Sequence, residues 1–391
     1  MRIRLWTLIA LTAVTVSARA QLRLPALPVP TLPLPSTPLQ NLPQTIDQAD
    51  ARALARLSGL RHAAIGRLIG SNRRVVEADP NGEPIVRGEV LALSPSDEAM
   101  QRALAAGFLV AREQGIAAAD LRLIVLTAPE GLSTRRALEH LRKADPGGTY
   151  DYNHIYTNAG GAVDPPTATS SAKAPPASTA GPASVPTKTL ATPAAQTPPE
   201  PSDPSDPSAA PPSRKAPIRV GLLDTGIDSS HPVFRNSLIH SWGCAHQSMP
   251  DLHGTAVASL LLAHGDVELY AADVYCKAPT GGAADAIVAA LAWMTTERVP
   301  VINVSLVGPR NALLEHAVAA LIARGYLLVA AVGNDGPTAP PLYPAAYANV
   351  VGVTGVDANR RVLLEAERGP QVMFAAPGAD IKAADMAHAL T

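Results

Sequence analysis

From residue 218 onward the sequence alternates short apolar runs with helical stretches, and this alternation constrains the fold more than any other feature. The predicted strands are 218–223, 268–275, 300–305, 326–332, 350–356 and 372–375. The predicted helices are 253–263, 283–298 and 312–324. Such alternation predicts an α/β fold with a doubly wound parallel sheet, in which functional groups gather at the carboxyl ends of the strands.

Polar side chains fall at those predicted strand ends. Asp224 follows the first predicted strand, Ser305 closes the third, and Asn334 follows the run 326–332. His253 begins a predicted helix. Together, Asp224 and His253 suggest a carboxylate that orients an imidazole. Each residue also has a structural explanation: Asp224 accepting from turn amides, His253 capping its helix, and Asn334 belonging to an ordinary turn.

The N-terminal end reads as an export signal followed by a spacer. Arg2 and Arg4, an apolar core and the Ala18-Arg19-Ala20 site predict a signal peptide over 1–20, with an uncleaved membrane anchor as the alternative. Once the signal is cleaved, no transmembrane segment is expected. Residues 21–44 contain seven prolines and predict an extended spacer.

Residues 45–161 predict a small α+β domain. Its expected helices are 47–69, 95–114 and 133–143, and its expected strands are 85–93, 121–127 and 150–156. The second helix rests on Met100, Leu104, Phe108 and Ala111, which recur at helical spacing. Residues 162–217 are rich in proline, alanine, serine and threonine, which predicts a flexible tether.

Composition excludes some partners and leaves one cross-link open. The net charge is -1 and no basic cluster stands out, which argues against nucleic-acid binding. The two cysteines, Cys244 and Cys276, are candidates for a disulfide in an exported chain. Two buried free thiols are the alternative.

Five short motifs from residue 218 onward resemble those of the subtilisin-like serine peptidases. They are Val220-Gly221-Leu222-Leu223-Asp224-Thr225-Gly226-Ile227-Asp228, His253-Gly254-Thr255-Ala256-Val257-Ala258, Asn303-Val304-Ser305-Leu306, Val332-Gly333-Asn334-Asp335-Gly336-Pro337 and Ala375-Ala376-Pro377-Gly378. The resemblance implies a subtilisin-like α/β domain over 218–391 that hydrolyses polypeptides by acyl transfer. Residues 45–161 resemble, less specifically, the inhibitory propeptides of that family, so this chain's own propeptide-like domain is an expected partner.

The resemblance also implies the role of each site residue. Asp224 would orient His253, His253 would serve as general base and then acid, and Asn334 would bind the oxyanion. Ser305 and Leu306 would line the substrate cleft through their backbone. The chemistry requires no cofactor, and structural calcium stays open because the sequence gives no ligand set.

The pattern departs from the family at the nucleophile. Relatives carry a serine on a Gly-Thr-Ser helix start downstream of the oxyanion asparagine, yet no serine follows Ser305 in these 391 residues. We therefore expect 218–391 to be a C-terminally truncated domain and the chain as written to be inactive. Val307, where relatives often carry glycine, is expected to narrow the cleft.

Three functions follow. The leading one is the precursor of an exported subtilisin-like serine endopeptidase, made of signal, spacer, propeptide-like domain, tether and peptidase domain. The second is a noncatalytic pseudopeptidase or protease-inhibitor module. A minor alternative is an aspartic protease, since Asp224-Thr225-Gly226 resembles the signature of that class, although only one copy is present.

Overall fold

The computed structural model describes residues 48–117, 120–159, 216–263 and 265–387. The predicted signal (1–20), the spacer (21–44) and nearly all of the predicted tether (162–217) lie outside the described residues. The described residues 48–159, here the N-terminal module, and 216–387, here the C-terminal module, belong to one compact unit. Among the helices that the structure describes, none combines the length and apolarity needed to cross a membrane.

The N-terminal module is an antiparallel sheet with helices. Its elements are α1 (Gln48–Ser71), β1 (Val76–Ala78), β2 (Pro84–Leu93), α2 (Asp97–Ala105), β3 (Leu109–Ile116), β4 (Leu121–Thr127), α3 (Thr134–Ala144) and β5 (Thr149–Asn158). The strands are ordered β5-β2-β4-β3, and β1 pairs with β2. Phe108, Leu126 and Leu138 lie in a core shared by the sheet and the helices.

The single long helix predicted over 95–114 is wrong. Helix α2 ends at Ala105, and residues Leu109–Ile116 form β3, an edge strand paired antiparallel with β4. Gly107 has a φ of +90°, a left-handed conformation that ends the helix. Leu104 is largely exposed while Phe108 is buried, so the helical spacing of apolar residues did not correspond to one face. Pairing with β4 satisfies the backbone of this segment instead.

The C-terminal module contains the predicted parallel sheet. Its strands are β6 (Ile218–Asp224), β7 (Leu238–Trp242), β8 (Val267–Asp273), β9 (Gly282–Ala283), β10 (Val301–Val304), β11 (Leu306–Val307), β12 (Leu327–Ala331), β13 (Val351–Val356) and β14 (Val372–Pro377). Its helices are α4 (Leu252–Leu262), α5 (Ala284–Thr296) and α6 (Ala312–Ile322). Seven parallel strands are ordered β14-β13-β12-β10-β6-β8-β7.

Successive residues of β6 point to opposite faces of this sheet, and helices cover both. Leu222 packs in a cluster with Ala258 of α4, whereas Leu223 packs in the cluster that holds Ile287 of α5 and Leu313 of α6. This confirms the doubly wound α/β fold. Strands β6, β10 and β12 are parallel neighbours, so the residues that follow them lie at one edge of the sheet.

The two modules are joined through β5. Its end pairs antiparallel with β11, where Asn158 opposes Leu306, and also with β9, where Tyr156 opposes Gly282. Two helices of the C-terminal module receive caps from the same strand. The Asp285 N–H at the start of α5 donates to Asn153 Oδ1 (3.2 Å), and the Ala312 N–H at the start of α6 donates to Asp151 Oδ2 (2.8 Å).

Cys244 and Cys276 are joined as a disulfide across a sequence separation of 32 residues. The bond links the loop after β7 to the loop after β8. Both loops lie beside Asp273, whose carboxylate accepts hydrogen bonds from the backbone N–H groups of Met249 and Cys276 (2.8 Å each). The disulfide therefore ties together two loops at the carboxyl edge of the sheet.

Candidate active site

Asp224 and His253 form a hydrogen-bonded pair at the carboxyl edge of the sheet. His253 Nδ1 lies 2.7 Å from Asp224 Oδ1. Because an ionised carboxylate only accepts, Nδ1 carries the proton and Nε2 of the neutral ring is left as the basic nitrogen. Asp224 is fully buried, while the His253 side chain is 26% exposed. Asp224 thus orients the imidazole through Nδ1, while part of the ring remains exposed to solvent.

The turn after β6 fixes the positions of Asp224 and His253 relative to each other. The Thr225 hydroxyl accepts a hydrogen bond from the Gly254 N–H (2.8 Å) and lies 3.3 Å from Asp224 Oδ1, to which it can donate. The Thr225 N–H also donates to Asp224 Oδ1 (2.6 Å). A Cβ at Gly254 would lie 2.3 Å from the Thr225 carbonyl oxygen, so only glycine lets α4 approach the turn this closely.

The environment of His253 favours its protonated form. Burial acts to lower the pKa of the ring, but the hydrogen bond and charge of Asp224, with the charge of Asp251, outweigh it and raise the pKa above its usual value. Asp251 is also the N-cap of α4 and accepts from the His253 N–H (3.3 Å). An imidazolium is thereby stabilised at this position, as a general base requires after it takes a proton.

Asn334 lies three residues beyond β12, and its side chain contacts the N-terminal module. Asn334 Nδ2 donates to the backbone carbonyl of Ala159 (2.5 Å), and the Ala159 N–H donates to the Ser305 carbonyl (3.3 Å). The peptide unit at Ala159 is therefore held on both sides. A side-chain amide on a carbonyl oxygen is the contact that an oxyanion donor makes.

Ser305 and Leu306 form the wall against which β5 lies. The Ser305 N–H donates to the Leu223 carbonyl (3.2 Å), which fixes this segment beside β6. Leu306 and Val307 are buried and pair with Asn158 and Thr157. The backbone of Leu306 and Val307 therefore pairs with the extended end of β5.

The aspartic-protease alternative is contradicted by this arrangement. Asp224 pairs with a histidine, at the edge of a parallel sheet covered by helices. An aspartic protease requires two carboxylates that share a proton on an all-β fold.

Comparison with known proteins identifies the C-terminal module. Residues 215–390 match the model of the subtilase family. The C-terminal module is a subtilase domain. Asp224 and His253, which form the observed hydrogen bond, lie in two of the motifs that resemble this family.

Two curated relatives agree with this assignment. The chain is 32% identical over 182 residues to Subtilisin DY of Bacillus licheniformis, covering 42% of this chain and 66% of the relative. It is 34% identical over 178 residues to Subtilisin Savinase of Lederbergia lenta, covering 42% of this chain and 65% of the relative. The chain thus spans just under two thirds of the length of these relatives.

One solved structure resembles more than the subtilase domain. Fervidolysin from Fervidobacterium pennivorans, a keratinolytic enzyme related to subtilisin, superposes with a TM-score of 0.55 at 16% identity. The match covers 79% of this chain and 49% of fervidolysin. Because residues 215–390 are less than half of this chain, the similarity of fold extends into the N-terminal module.

Within the described residues, one cluster has metal-ligand chemistry, made of Cys244, Asp273 and Cys276. The two sulfurs are already bonded to each other, and the carboxylate accepts backbone hydrogen bonds. These groups are used by the protein itself, so the cluster has a structural role in the subtilase domain. It lacks the several oxygen ligands that calcium prefers.

The sequence analysis did not predict the ion pairs of Arg61 or the buried carboxyl group of Glu367, which lie close to the segment around Asn334. Arg61 of α1 forms ion pairs with Asp335 and with Glu83 (3.0 Å each). Glu367 is fully buried, and a Cβ at Gly333 would lie 2.8 Å from its Oε1. These contacts join segments far apart in sequence, and no local motif indicates them.

Glu367 is held largely uncharged at neutral pH. Burial raises the pKa of its carboxyl group to about 8, and the nearby Asp335 carboxylate adds to the rise, while the Leu342 N–H and Arg61 oppose it. The folded state therefore binds a proton that the carboxyl group of the unfolded chain releases near pH 4.5. The free energy of unfolding should fall as pH rises from about 4.5 to about 8.

Glu367→Gln should therefore stabilise the protein at alkaline pH, because it removes the cost of a buried charge. We expect the free energy of unfolding at pH 9 to rise by on the order of a few kcal/mol, and the gain to vanish near pH 4, where both side chains are neutral. Urea titrations at the two pH values measure this. Glu365→Gln, at a partly exposed site two residues away, should change stability by less than about 0.5 kcal/mol. Equal effects of the two substitutions would contradict the burial argument.

Proposed function

We propose that this chain is the precursor of an exported subtilisin-like serine endopeptidase, in which residues 48–159 occupy the substrate cleft of the subtilase domain. One observation carries the proposal: Asn334, the predicted oxyanion donor, contacts the carbonyl of a peptide that is paired with the cleft wall. The export signal predicted over 1–20 and the tether over 162–217 fit a segment that is removed during maturation.

The proposed chemistry is acyl transfer to a serine hydroxyl. His253 Nε2 takes the proton of the hydroxyl while its oxygen attacks the peptide carbonyl, and Asp224 stabilises the imidazolium that results. The negative charge on the carbonyl oxygen is stabilised by the Asn334 amide. His253 then gives the proton to the leaving amine, and water completes the hydrolysis by the same route.

The bond between Ala159 and Gly160 is the proposed maturation site. The Ala159 carbonyl is the one that Asn334 contacts, and the Ala159 N–H is bound by Ser305. A carbonyl held in this way is oriented for attack, which is the positional contribution to catalysis. Cleavage there would separate the N-terminal module from the tether.

A noncatalytic inhibitor module is the second candidate, and the same cleft occupancy supports it. No serine follows Ser305 in the 391 residues, so the hydroxyl that His253 would activate is missing from the chain as written. Loss of the serine lowers turnover of a subtilisin by about a millionfold. The two candidates differ in whether this domain can become active when a serine segment is supplied.

The chain as written should not react with a fluorophosphonate probe, since no serine follows Ser305 in its 391 residues, where the family carries the nucleophile. A chimera that continues residue 387 with the remaining C-terminal third of Subtilisin DY should react at the added serine. Its His253→Ala variant should not. Labelling is read by mass spectrometry of the modified peptide. Labelling of any serine in the 391-residue chain would overturn the predicted inactivity, and an unreactive, folded chimera would favour the noncatalytic alternative.

Residues 45–161 should inhibit a related peptidase, because β5 carries the groups that fill the cleft. Added to Subtilisin Savinase, this segment is expected to slow peptide hydrolysis in proportion to its concentration. Ala159→Pro removes the N–H that binds the Ser305 carbonyl, and we expect at least about a tenfold weaker inhibition from that variant. A folded segment that leaves the hydrolysis rate unchanged would argue against the propeptide role.

A further inference from the structure

The loop after β8 carries one half of the disulfide and leads directly into β9. Residues 274–281, here the bridging loop, follow β8 and precede Gly282 of β9, which pairs antiparallel with β5. Hydrogen-bonded turns carry the chain along this loop. The Ala278 N–H donates to the Tyr275 carbonyl (2.8 Å), and the Gly281 N–H donates to the Ala278 carbonyl (3.3 Å). The position of β9 therefore depends on where the start of the bridging loop is held.

The start of the bridging loop is anchored by a carboxylate and by the disulfide. Asp273 Oδ1 accepts hydrogen bonds from the N–H groups of Tyr275 (3.1 Å) and Cys276 (2.8 Å). The Sγ atoms of Cys276 and Cys244 are bonded to each other, so the loop after β7 holds the same point of the chain. Two restraints of different chemistry thus fix Cys276, and one of them is reducible.

Both cysteines lie in strained backbone conformations. Cys244 and Cys276 have φ of +51°, and the residues that follow them, Ala245 and Lys277, have φ of +53° and +56°. All of these values fall in the left-handed region, which is unfavourable for residues that carry a Cβ. When the disulfide opens, the two segments are no longer joined, and each can relax toward a right-handed or extended conformation. Such relaxation moves the start of the bridging loop.

The disulfide is accessible to a small reactant. Cys276 is exposed and Cys244 is half-buried. A cleft of about 300 Å³ adjoins both cysteines, and Trp242, Val274 and Ala286 contribute to its lining. A thiolate therefore has room to approach Cys276 Sγ, and access of this kind is a requirement of thiol–disulfide exchange.

We propose that the Cys244–Cys276 bond is a thiol–disulfide exchange site that takes a dithiol as its reactant, and that its oxidised state holds β9 against β5. The regulatory consequence rests on the proposed function, because β5 is the strand that occupies the cleft of the subtilase domain. Oxidation then keeps the N-terminal module in place, and reduction weakens its hold. The pairing of β5 with β11, which follows β10 in the chain, is a second attachment outside the two cysteine loops.

The exchange proceeds through a mixed disulfide. A thiolate of the dithiol attacks Cys276 Sγ, the bond between the two cysteines breaks, and Cys244 leaves as a thiolate that takes up a proton. The second thiol of the reactant then attacks the mixed disulfide and releases Cys276 as a thiol. The chain gains two electrons and two protons, and the dithiol becomes a disulfide. Oxidation by a disulfide of the same class reverses each step.

Reduction should act on one attachment of β5 more than on the rest of the fold. Ile155 and Tyr156 pair with β9, whereas Thr157 and Asn158 pair with β11. We expect the protected amides of 155–156 and of β9 to exchange at least about tenfold faster after reduction, once the change at Leu328 is divided out. Leu328 of β12 is buried in the sheet core, so its amide reports the general loss of stability that any opened cross-link causes.

Hydrogen exchange of the native 391-residue chain tests this inference. The chain is treated with dithiothreitol without denaturant, and a sample alkylated with iodoacetamide confirms that both thiols are free. Exchange before and after reduction is then measured by mass spectrometry with residue-level fragmentation. Because the chain contains only two cysteines, the treatment opens this bond alone. The Cys244→Ala/Cys276→Ala variant should show the faster exchange without dithiothreitol and no further change with it.

A disulfide that stays intact in the native chain would overturn the inference. Equal acceleration at Leu328 and at 155–156 would also overturn it, because the bond would then be a structural cross-link only, and so would loss of protection over the whole chain. If the alanine variant does not fold, reduction of the wild-type chain decides by itself. None of these measurements uses hydrolysis, so a failed fluorophosphonate chimera would contradict the proposed function and leave the redox result standing.

Discussion

The antiparallel pairing of β5 with β9 and β11 is the interaction on which the arrangement of the two modules depends. Backbone pairing with these two strands fixes the register of β5, and a shift of one residue would turn the buried Tyr156 side chain to the opposite face of the strand. The same register brings Asn153 and Asp151 to the starts of two helices. It also brings the Ala159 carbonyl to Asn334. One pairing therefore determines packing, capping and the position of the peptide at the site.

The carboxyl edge of the parallel sheet provides the second constraint. Asp224 is buried there, and its Oδ1 accepts hydrogen bonds from the Thr225 N–H and from the His253 ring. Glu367, whose N–H donates to the Gly333 carbonyl, is also buried, and burial together with the nearby Asp335 carboxylate raises its pKa to about 8. The two buried carboxyl groups therefore differ in the hydrogen-bond donors around them, and burial raises the pKa of Glu367.

Much of the C-terminal module could be predicted from sequence because its information is local. The alternation of strands and helices was sufficient for the α/β fold, and topology then placed Asp224 and Asn334 at one edge. The strands β9 and β11 were missed because each has two residues and forms only against β5. The strand after Gly107 was missed because its apolar spacing also fits a helix. Arg61 and Glu367 gave no signal, since their contacts depend on chain segments that only folding brings together.

The most direct test of this account is the exchange rate of the Ala159 backbone amide in the 391-residue chain, measured by hydrogen-exchange mass spectrometry with residue-level fragmentation. If β5 lies in the cleft, that amide should be protected together with those of Leu306 and Tyr156, and the three should become exchangeable in one cooperative step. Exchange of Ala159 at the rate of an unstructured peptide, while the rest of β5 stays protected, would contradict the occupied cleft.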